Sequence, residues 1–104
     1  MMVLYHPDLA KDIRKFEAEY FQISAGLATR FRKEVDDALT AVKAAPQAAG
    51  HFLPTGSQVV PEFRRRNLRA FPFFVLYGFT GDRLLFGSLI PSRSDPLTWL
   101  SRFR

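Results

Sequence analysis

Residues 63–90 read FRRRNLRAFPFFVLYGFTGDRLLFGSLI and carry the clearest pattern in the chain. Apolar residues fill Phe71–Phe79 and recur in Arg83–Ile90 with the period of two that is typical of β-strands. Thr80–Asp82, which reads TGD, lies between the two segments and is a turn signal. The stretch therefore predicts a β-hairpin.

Both faces of this hairpin are predicted to be buried, because apolar side chains occupy odd and even positions alike. On the first strand, one face is expected to carry Phe71, Phe73, Val75 and Tyr77, and the other Phe74 and Leu76. On the second strand, one face is expected to carry Leu84, Phe86 and Ile90. A sheet of this kind needs a cover of other elements on each side.

A polar strand is predicted over Glu62–Leu68, directly before the hairpin. Alternation along a strand would place Arg64 and Arg66 on one face and Arg65 on the other. Residues 46–61 precede this strand, contain three prolines and two glycines, and fit no period. They are therefore expected to form a loop.

The N-terminal half predicts a short strand, Met2–Tyr5, followed by two helices. The first helix begins near His6-Pro7-Asp8, and its apolar stripe is Leu9, Ile13, Phe16 and Tyr20. The second helix is capped by Ser24 and stopped by Pro46, and its stripe is Leu27, Phe31, Val35, Ala38 and Val42. Two amphipathic helices separated by a short break indicate a helical hairpin.

A short C-terminal helix is predicted to open at Asp95-Pro96 and to carry Leu97, Trp99, Leu100 and Phe103. The expected fold class is α+β, with an N-terminal helical hairpin packed on a small antiparallel β-sheet and a short C-terminal helix. At 104 residues the chain is expected to be a single domain spanning 1–104.

Composition excludes several kinds of chemistry. The chain has no cysteine, so it can form no disulfide, no thiolate metal site and no cysteine nucleophile, and a cytoplasmic location is expected. No run of about 18 apolar residues predicts a membrane span. The glycines are scattered and form no phosphate-binding loop, and neither His6 nor His51 has a catalytic partner at a suitable spacing. No cofactor and no metal are expected.

The net charge of +5 comes entirely from the C-terminal part of the chain. Residues 1–61 hold seven basic and seven acidic residues, whereas residues 62–104 hold eight arginines, no lysine and three acids. Arginine makes planar two-pronged contacts to phosphate or carboxylate groups. These arginines therefore indicate a surface for nucleic acid or an acidic protein, with a solvated strand that discourages edge pairing as the alternative.

The order of elements, together with FRRRNLRAFPFFVLYGF (63–79), RLLFGSLIPSR (83–93) and SDPLTWLSR (94–102), resembles the RelE/ParE superfamily of bacterial toxins. The Phe-Pro-Phe and Arg-Ser-Asp-Pro patterns are nearer the ParE branch. The resemblance implies the toxin of a type II toxin–antitoxin module, of the kind that stabilises plasmids and inhibits growth. It also implies a cognate antitoxin with an acidic, amphipathic C-terminal segment, and a hetero-oligomer of the two.

The resemblance implies two alternative activities. A ParE-like member binds DNA gyrase and is not an enzyme, whereas a RelE-like member is an endoribonuclease that cuts mRNA on the ribosome. For the nuclease, the residues that would grip the phosphate are Arg65, Arg69 and Arg93. Trp99 stands where some RelE-like members place a catalytic tyrosine, and indole cannot transfer a proton usefully at neutral pH. A third reading, outside the superfamily, is a basic module that binds nucleic acid non-specifically.

The gyrase-binding reading is the leading hypothesis, and it assigns residues to two surfaces. The residues expected to contact the target are Arg64, Arg65, Arg66, Arg69, Arg93, Trp99 and Arg102. The residues expected to contact the antitoxin are Phe71, Phe73, Trp99 and Phe103.

Overall fold

The computed structural model describes residues 1–56, 60 and 62–103. Its elements in chain order are β1 (Met2–Tyr5), α1 (Pro7–Phe21), α2 (Ala25–Ala44), β2 (His51–Leu53), β3 (Glu62–Asn67), β4 (Phe73–Thr80), β5 (Arg83–Pro91) and a 3-10 helix (Pro96–Phe103). The predicted α+β fold with an N-terminal helical hairpin is confirmed. Residues 57–59 and 61 of the predicted loop lie outside the described residues.

The five strands form one sheet in the order β1-β5-β4-β3-β2. The sheet was expected to be antiparallel, and three of its pairings are, but β1 runs parallel to β5, with Met2 opposite Arg83. The loop predicted over residues 46–61 is wrong at His51–Leu53, which form β2 and pair with Arg65–Phe63. A strand of three residues is too short to show a period, so its sequence gave no signal.

Side chains cap both helices, and the cap of the second helix is the predicted Ser24. The Nδ1 atom of His6 accepts a hydrogen bond from the Asp8 backbone N–H at 3.1 Å, and the Ser24 hydroxyl accepts one from the Leu27 N–H at 3.0 Å. His6 is therefore a structural histidine. Helix α2 ends at Ala44, just before Pro46, as expected.

The sheet separates two hydrophobic clusters. The helix-side core lies beneath α1 and α2 and is built around Leu9, Ile13, Phe31, Val35, Val42, Phe73, Val75, Tyr77, Leu84 and Phe86. The opposite core lies beneath the 3-10 helix and consists of Val60, Phe63, Phe74, Leu76, Ile90 and Phe103. The predicted alternation along β4 and the burial of both its faces are confirmed.

A β-bulge at Gly87 overturns one detail of the predicted strand faces. Leu76 pairs with Ser88 and Tyr77 pairs with Phe86, so Gly87 is an extra residue in β5. The extra residue reverses the alternation, and Ile90 consequently lies in the opposite core while Leu84 and Phe86 lie in the helix-side core. The prediction that these three share a face is wrong for this reason.

Gly87 also makes room for the C-terminal element. A Cβ atom at this position would collide with the ring of Phe103. Phe103 is 7% exposed and meets Phe63 edge to face, with ring centroids 4.7 Å apart. The predicted C-terminal helix is present, but as a 3-10 helix that begins under an Asp95 cap, whose Oδ1 accepts from the Leu97 N–H at 3.0 Å.

Candidate functional site

Two of the three consecutive arginines of β3 hold a neighbouring segment in place. Arg64 Nη1 donates to the Gly50 carbonyl and Arg66 Nη1 donates to the Ala49 carbonyl, each at 2.9 Å. Arg64 also pairs with Glu62 at 2.7 Å. These contacts tie the segment between α2 and β2 onto the sheet, and they place both side chains on the helix side, as the alternation predicted.

Tyr77 lies beneath the same segment. Its hydroxyl donates to the Pro46 carbonyl at 2.7 Å. Burial raises the pKa of Tyr77, and the nearby positive charges of Arg64 and Arg66 oppose this shift. The phenol therefore stays neutral at physiological pH and serves as a hydrogen-bond donor to the backbone.

Arg65 points to the other side of the sheet. Its guanidinium lies over the ring of Phe74, 3.9 Å from the centroid, and donates to the Asn67 side-chain oxygen at 3.0 and 3.1 Å. A cation over an aromatic face is a favourable arrangement. His51 is the direct cross-strand neighbour of Arg65, so their Cβ atoms lie on one face about 5 Å apart.

Arg69 and Arg93 lie in two turns at the same end of the sheet. Arg69 lies in the turn between β3 and β4, and Arg93 follows β5, whose last residue pairs with Phe73. The Ser92 N–H donates to the Pro72 carbonyl at 2.9 Å, which joins the two turns. Both arginines are exposed, and neither guanidinium has a hydrogen bond or ion pair with any residue that the structure describes.

Arg102 occupies a different place. Its guanidinium pairs with Asp12 of α1 at 2.7 Å and also donates to the Gly87 carbonyl and the Ser88 hydroxyl, each at 3.1 Å. Asp12 accepts in addition from the Leu89 N–H at 3.2 Å, beyond the part of β5 that pairs with β1. The ion pair therefore joins the 3-10 helix to α1 around the edge of β5.

A cleft of about 220 Å³ opens beside Arg69, between α2 and the β3–β4 turn. We call it the cationic cleft, and its lining consists of Arg30, Lys33, Glu34, Asp37, Ala38, Arg66, Asn67, Leu68 and Arg69. Arg30 is not among the predicted site residues, because the other side of the cleft comes from residues distant in the chain. The available signal was the spacing of Arg30, Lys33, Glu34 and Asp37, which places them on one polar face of α2.

The aromatic residues assigned to the antitoxin are buried to different degrees. Phe73 and Phe103 are each 7% exposed and belong to the two cores. Phe71 is half-buried against Tyr20 and Phe31, and Trp99 is half-buried against the opposite core. Their role in antitoxin binding stays a prediction.

The exposed large apolar side chains lie elsewhere. Phe21 and Ile23 are exposed at the tip of the helical hairpin, and Phe52 is exposed on β2. Met1, Met2, Leu4 and Tyr5 are exposed on or beside β1, and Leu97 is exposed on the 3-10 helix. Among the described residues, most of the exposed large apolar side chains thus lie at the sheet edges and the helix tip, and Leu97 lies near Trp99.

Within residues 1–56, 60 and 62–103, no group of three or more His, Asp or Glu side chains is placed to hold a metal ion. In the same part of the chain, no helix combines the length and the apolar character that crossing a bilayer requires.

The fold is similar to that of a solved chain described as "Chromosomal ParDE TA system from P. aeruginosa". The two share 24% sequence identity with a TM-score of 0.59, over 88% of this chain and 95% of that chain. No protein-family model matches this chain, and no curated protein does either. The resemblance seen in the sequence is thus confirmed as a shared fold.

Proposed function

We propose that this chain is the toxin of a ParDE-type toxin–antitoxin pair and that it inhibits growth by binding DNA gyrase. The observation that carries the proposal is the fold shared with a ParDE chain across most of both chains. Because fold alone does not determine function, the sequence patterns nearer the ParE branch provide the second support.

The target surface in this proposal is the end of the sheet that carries Arg69 and Arg93. Their guanidiniums are exposed and make no ion pair with the described residues, so they can contact carboxylates or phosphates without losing an internal partner. Arg65 extends this surface on the sheet face away from the helices, and Trp99 adds a half-buried aromatic ring there. Arg64, Arg66 and Arg102 contribute indirectly, since their side chains hold neighbouring segments in place.

Binding at this surface would act without chemistry, by stabilising or blocking one state of a gyrase–DNA complex. The antitoxin would neutralise the toxin by covering part of the same chain with an acidic, amphipathic segment. Exposed apolar residues such as Phe21, Ile23 and Phe52 give such a segment apolar surface to bury.

A supercoiling assay with purified chain and gyrase tests the target. We expect the chain to inhibit supercoiling and a variant carrying Arg69→Ala and Arg93→Ala to inhibit it much less. Arg14→Ala is the matched control, because Arg14 is an exposed arginine of α1, whereas Arg69 and Arg93 lie in the turns of the sheet. Unchanged supercoiling at a large molar excess of the native chain contradicts the proposal.

A second candidate function, mRNA cleavage on the ribosome, is favoured by the pairing of His51 with Arg65. A histidine can transfer a proton near neutral pH, and an adjacent arginine can stabilise a phosphate in the transition state. The sequence gives His51 no catalytic partner by spacing, whereas in β2 it lies directly opposite Arg65. Primer extension on translated mRNA after induction tests this function, with cleavage expected from the native chain and lost in His51→Gln.

A further inference from the structure

We propose that the cationic cleft binds a carboxylate side chain of an acidic peptide segment, clamped between Arg30 and Arg69. The inference rests on the proposed function in one respect, namely that this segment belongs to the antitoxin. Arg30 lies on α2 and Arg69 in the β3–β4 turn, so one arginine comes from the helical layer and the other from the sheet layer.

The two carboxylates in the cleft lining already have partners. Glu34 Oε1 accepts from the backbone N–H groups of Arg69 and Ala70 at 2.8 and 2.9 Å. Asp37 pairs with Lys33 at 2.9 Å. These contacts join α2 to the turn and fix the position of Arg69 relative to the helix.

The basic side chains in the cleft lining have N–H groups that are not used in hydrogen bonds to described residues. The guanidiniums of Arg30 and Arg69 are exposed and donate to none of the residues that the structure describes, and Arg66 uses Nη1 on the Ala49 carbonyl. The lining holds four basic and two acidic side chains, and both acids are engaged. A group that only accepts hydrogen bonds and carries negative charge complements this surplus, and a carboxylate is such a group.

The same lining favours a peptide over a nucleic acid. Each strand of duplex DNA carries one phosphate charge per about 3.4 Å of helix axis, so phosphates beside a bound one would approach Glu34 and Asp37. A peptide presents one carboxylate at the end of an otherwise neutral side chain. Ala38 and Leu68 in the lining also offer apolar contact to its aliphatic stem.

The test is fluorescence anisotropy with the full chain and a labelled synthetic peptide of glutamate and leucine residues. A peptide with glutamine in place of glutamate, and a labelled oligothymidylate, are the comparison probes. We expect the acidic peptide to bind more tightly than either comparison probe. Arg30→Ala or Arg69→Ala should weaken its binding about three- to tenfold. The lower value is expected for an accessible charge pair and the upper value for a two-pronged contact.

Two further variants make the result specific. Arg14→Ala removes the same charge from another helix and should change the dissociation constant less than about twofold. Arg30→Lys keeps the charge, loses the planar fork, and should bind with intermediate strength. Circular dichroism and urea unfolding confirm that each variant is folded.

Three outcomes overturn the proposal. They are equal weakening by Arg14→Ala and Arg30→Ala, equal or no binding of the glutamate and glutamine peptides, and tighter binding of the oligothymidylate. The peptide experiment contains no gyrase. A chain that leaves supercoiling unchanged but binds the acidic peptide through Arg30 would therefore contradict the proposed target and leave the clamp intact.

Discussion

The two faces of the sheet are covered in very different ways. The helix-side core lies under two α-helices of 15 and 20 residues, each with its own cap and apolar stripe. The opposite core lies under a single 3-10 helix of eight residues, and 3-10 geometry is poor for long runs. The two α-helices are specified by their local periodicity. The position of the 3-10 helix instead depends on the space left by Gly87 and on the ion pair of Arg102 with Asp12.

The largest expected effect is on the helix-side core. Phe31 is fully buried and packs with Tyr20, Phe71 and Phe73. Phe31→Ala should lower the free energy of unfolding by about 3–5 kcal/mol, because it removes apolar contact and leaves a cavity. Urea unfolding measures this, and Phe103→Ala is the comparison on the opposite core. If Phe103→Ala lowered the free energy of unfolding more than Phe31→Ala, the helix-side core would not be the one that contributes more to stability.

A methyl group added at Gly87 tests whether Phe103 needs the space beside this glycine. Gly87→Ala should displace Phe103 and loosen the 3-10 helix, at a cost of about 1–3 kcal/mol. Trp99 is the only tryptophan and lies on this helix, so its fluorescence should shift to longer wavelength. Gly26→Ala is the control, since a Cβ there meets nothing within 4 Å and alanine favours a helix. An unshifted Trp99 emission in Gly87→Ala would mean that the helix tolerates the methyl group.

The ion pair that joins the 3-10 helix to α1 should have an effect no larger than the one at the bulge. Asp12→Asn keeps an acceptor for the Leu89 N–H but leaves the Arg102 charge, 18% exposed, without its partner. We expect a loss of about 1–3 kcal/mol in urea unfolding. Asp37→Asn breaks the exposed Lys33–Asp37 pair and should cost less than about 0.5 kcal/mol. Equal losses in the two variants would mean that burial adds nothing to the Asp12–Arg102 pair.

The smallest effect is at Tyr77 and depends on pH. Burial raises the pKa of Tyr77 above its ordinary value of 10.0, so the unfolded chain ionises first and the stability falls as pH rises from that value. Tyr77→Phe should cost about 0.5–1.5 kcal/mol near neutral pH, through the lost bond to the Pro46 carbonyl. Its stability should then fall less between about pH 9 and pH 11 than that of the native chain. Parallel pH profiles of the two proteins would contradict this assignment.

Local patterns were sufficient to predict the elements that form a long enough period. The stripe from Leu9 to Tyr20, the Ser24 cap and the alternation along β4 all hold in the structure. The bulge at Gly87 and the strand β2 were not predictable, because an extra residue and a three-residue pairing leave no period to read. The parallel pairing of β1 likewise depends on residues far apart in the chain.

The candidate site was predicted only in part for the same reason. The sequence placed Arg64 and Arg66 on one face of β3 and Arg65 on the other, which the structure confirms. It did not reveal that Arg64 and Arg66 are held by backbone carbonyls, or that Arg30 of α2 lines the same cleft as Arg69. Such contacts are set by tertiary packing, and no periodic pattern in the sequence identifies the partner of a charged side chain.

Because β1 pairs with β5, a ribosome must synthesise almost the whole sheet before β1 can pair with its partner strand. The helical hairpin follows β1 directly and forms from local contacts, so it can be complete while β3, β4 and β5 are still being made. Until then its apolar stripe has no sheet to cover. The nascent chain thus passes through a stage in which the surface later hidden against the sheet is open to chaperones.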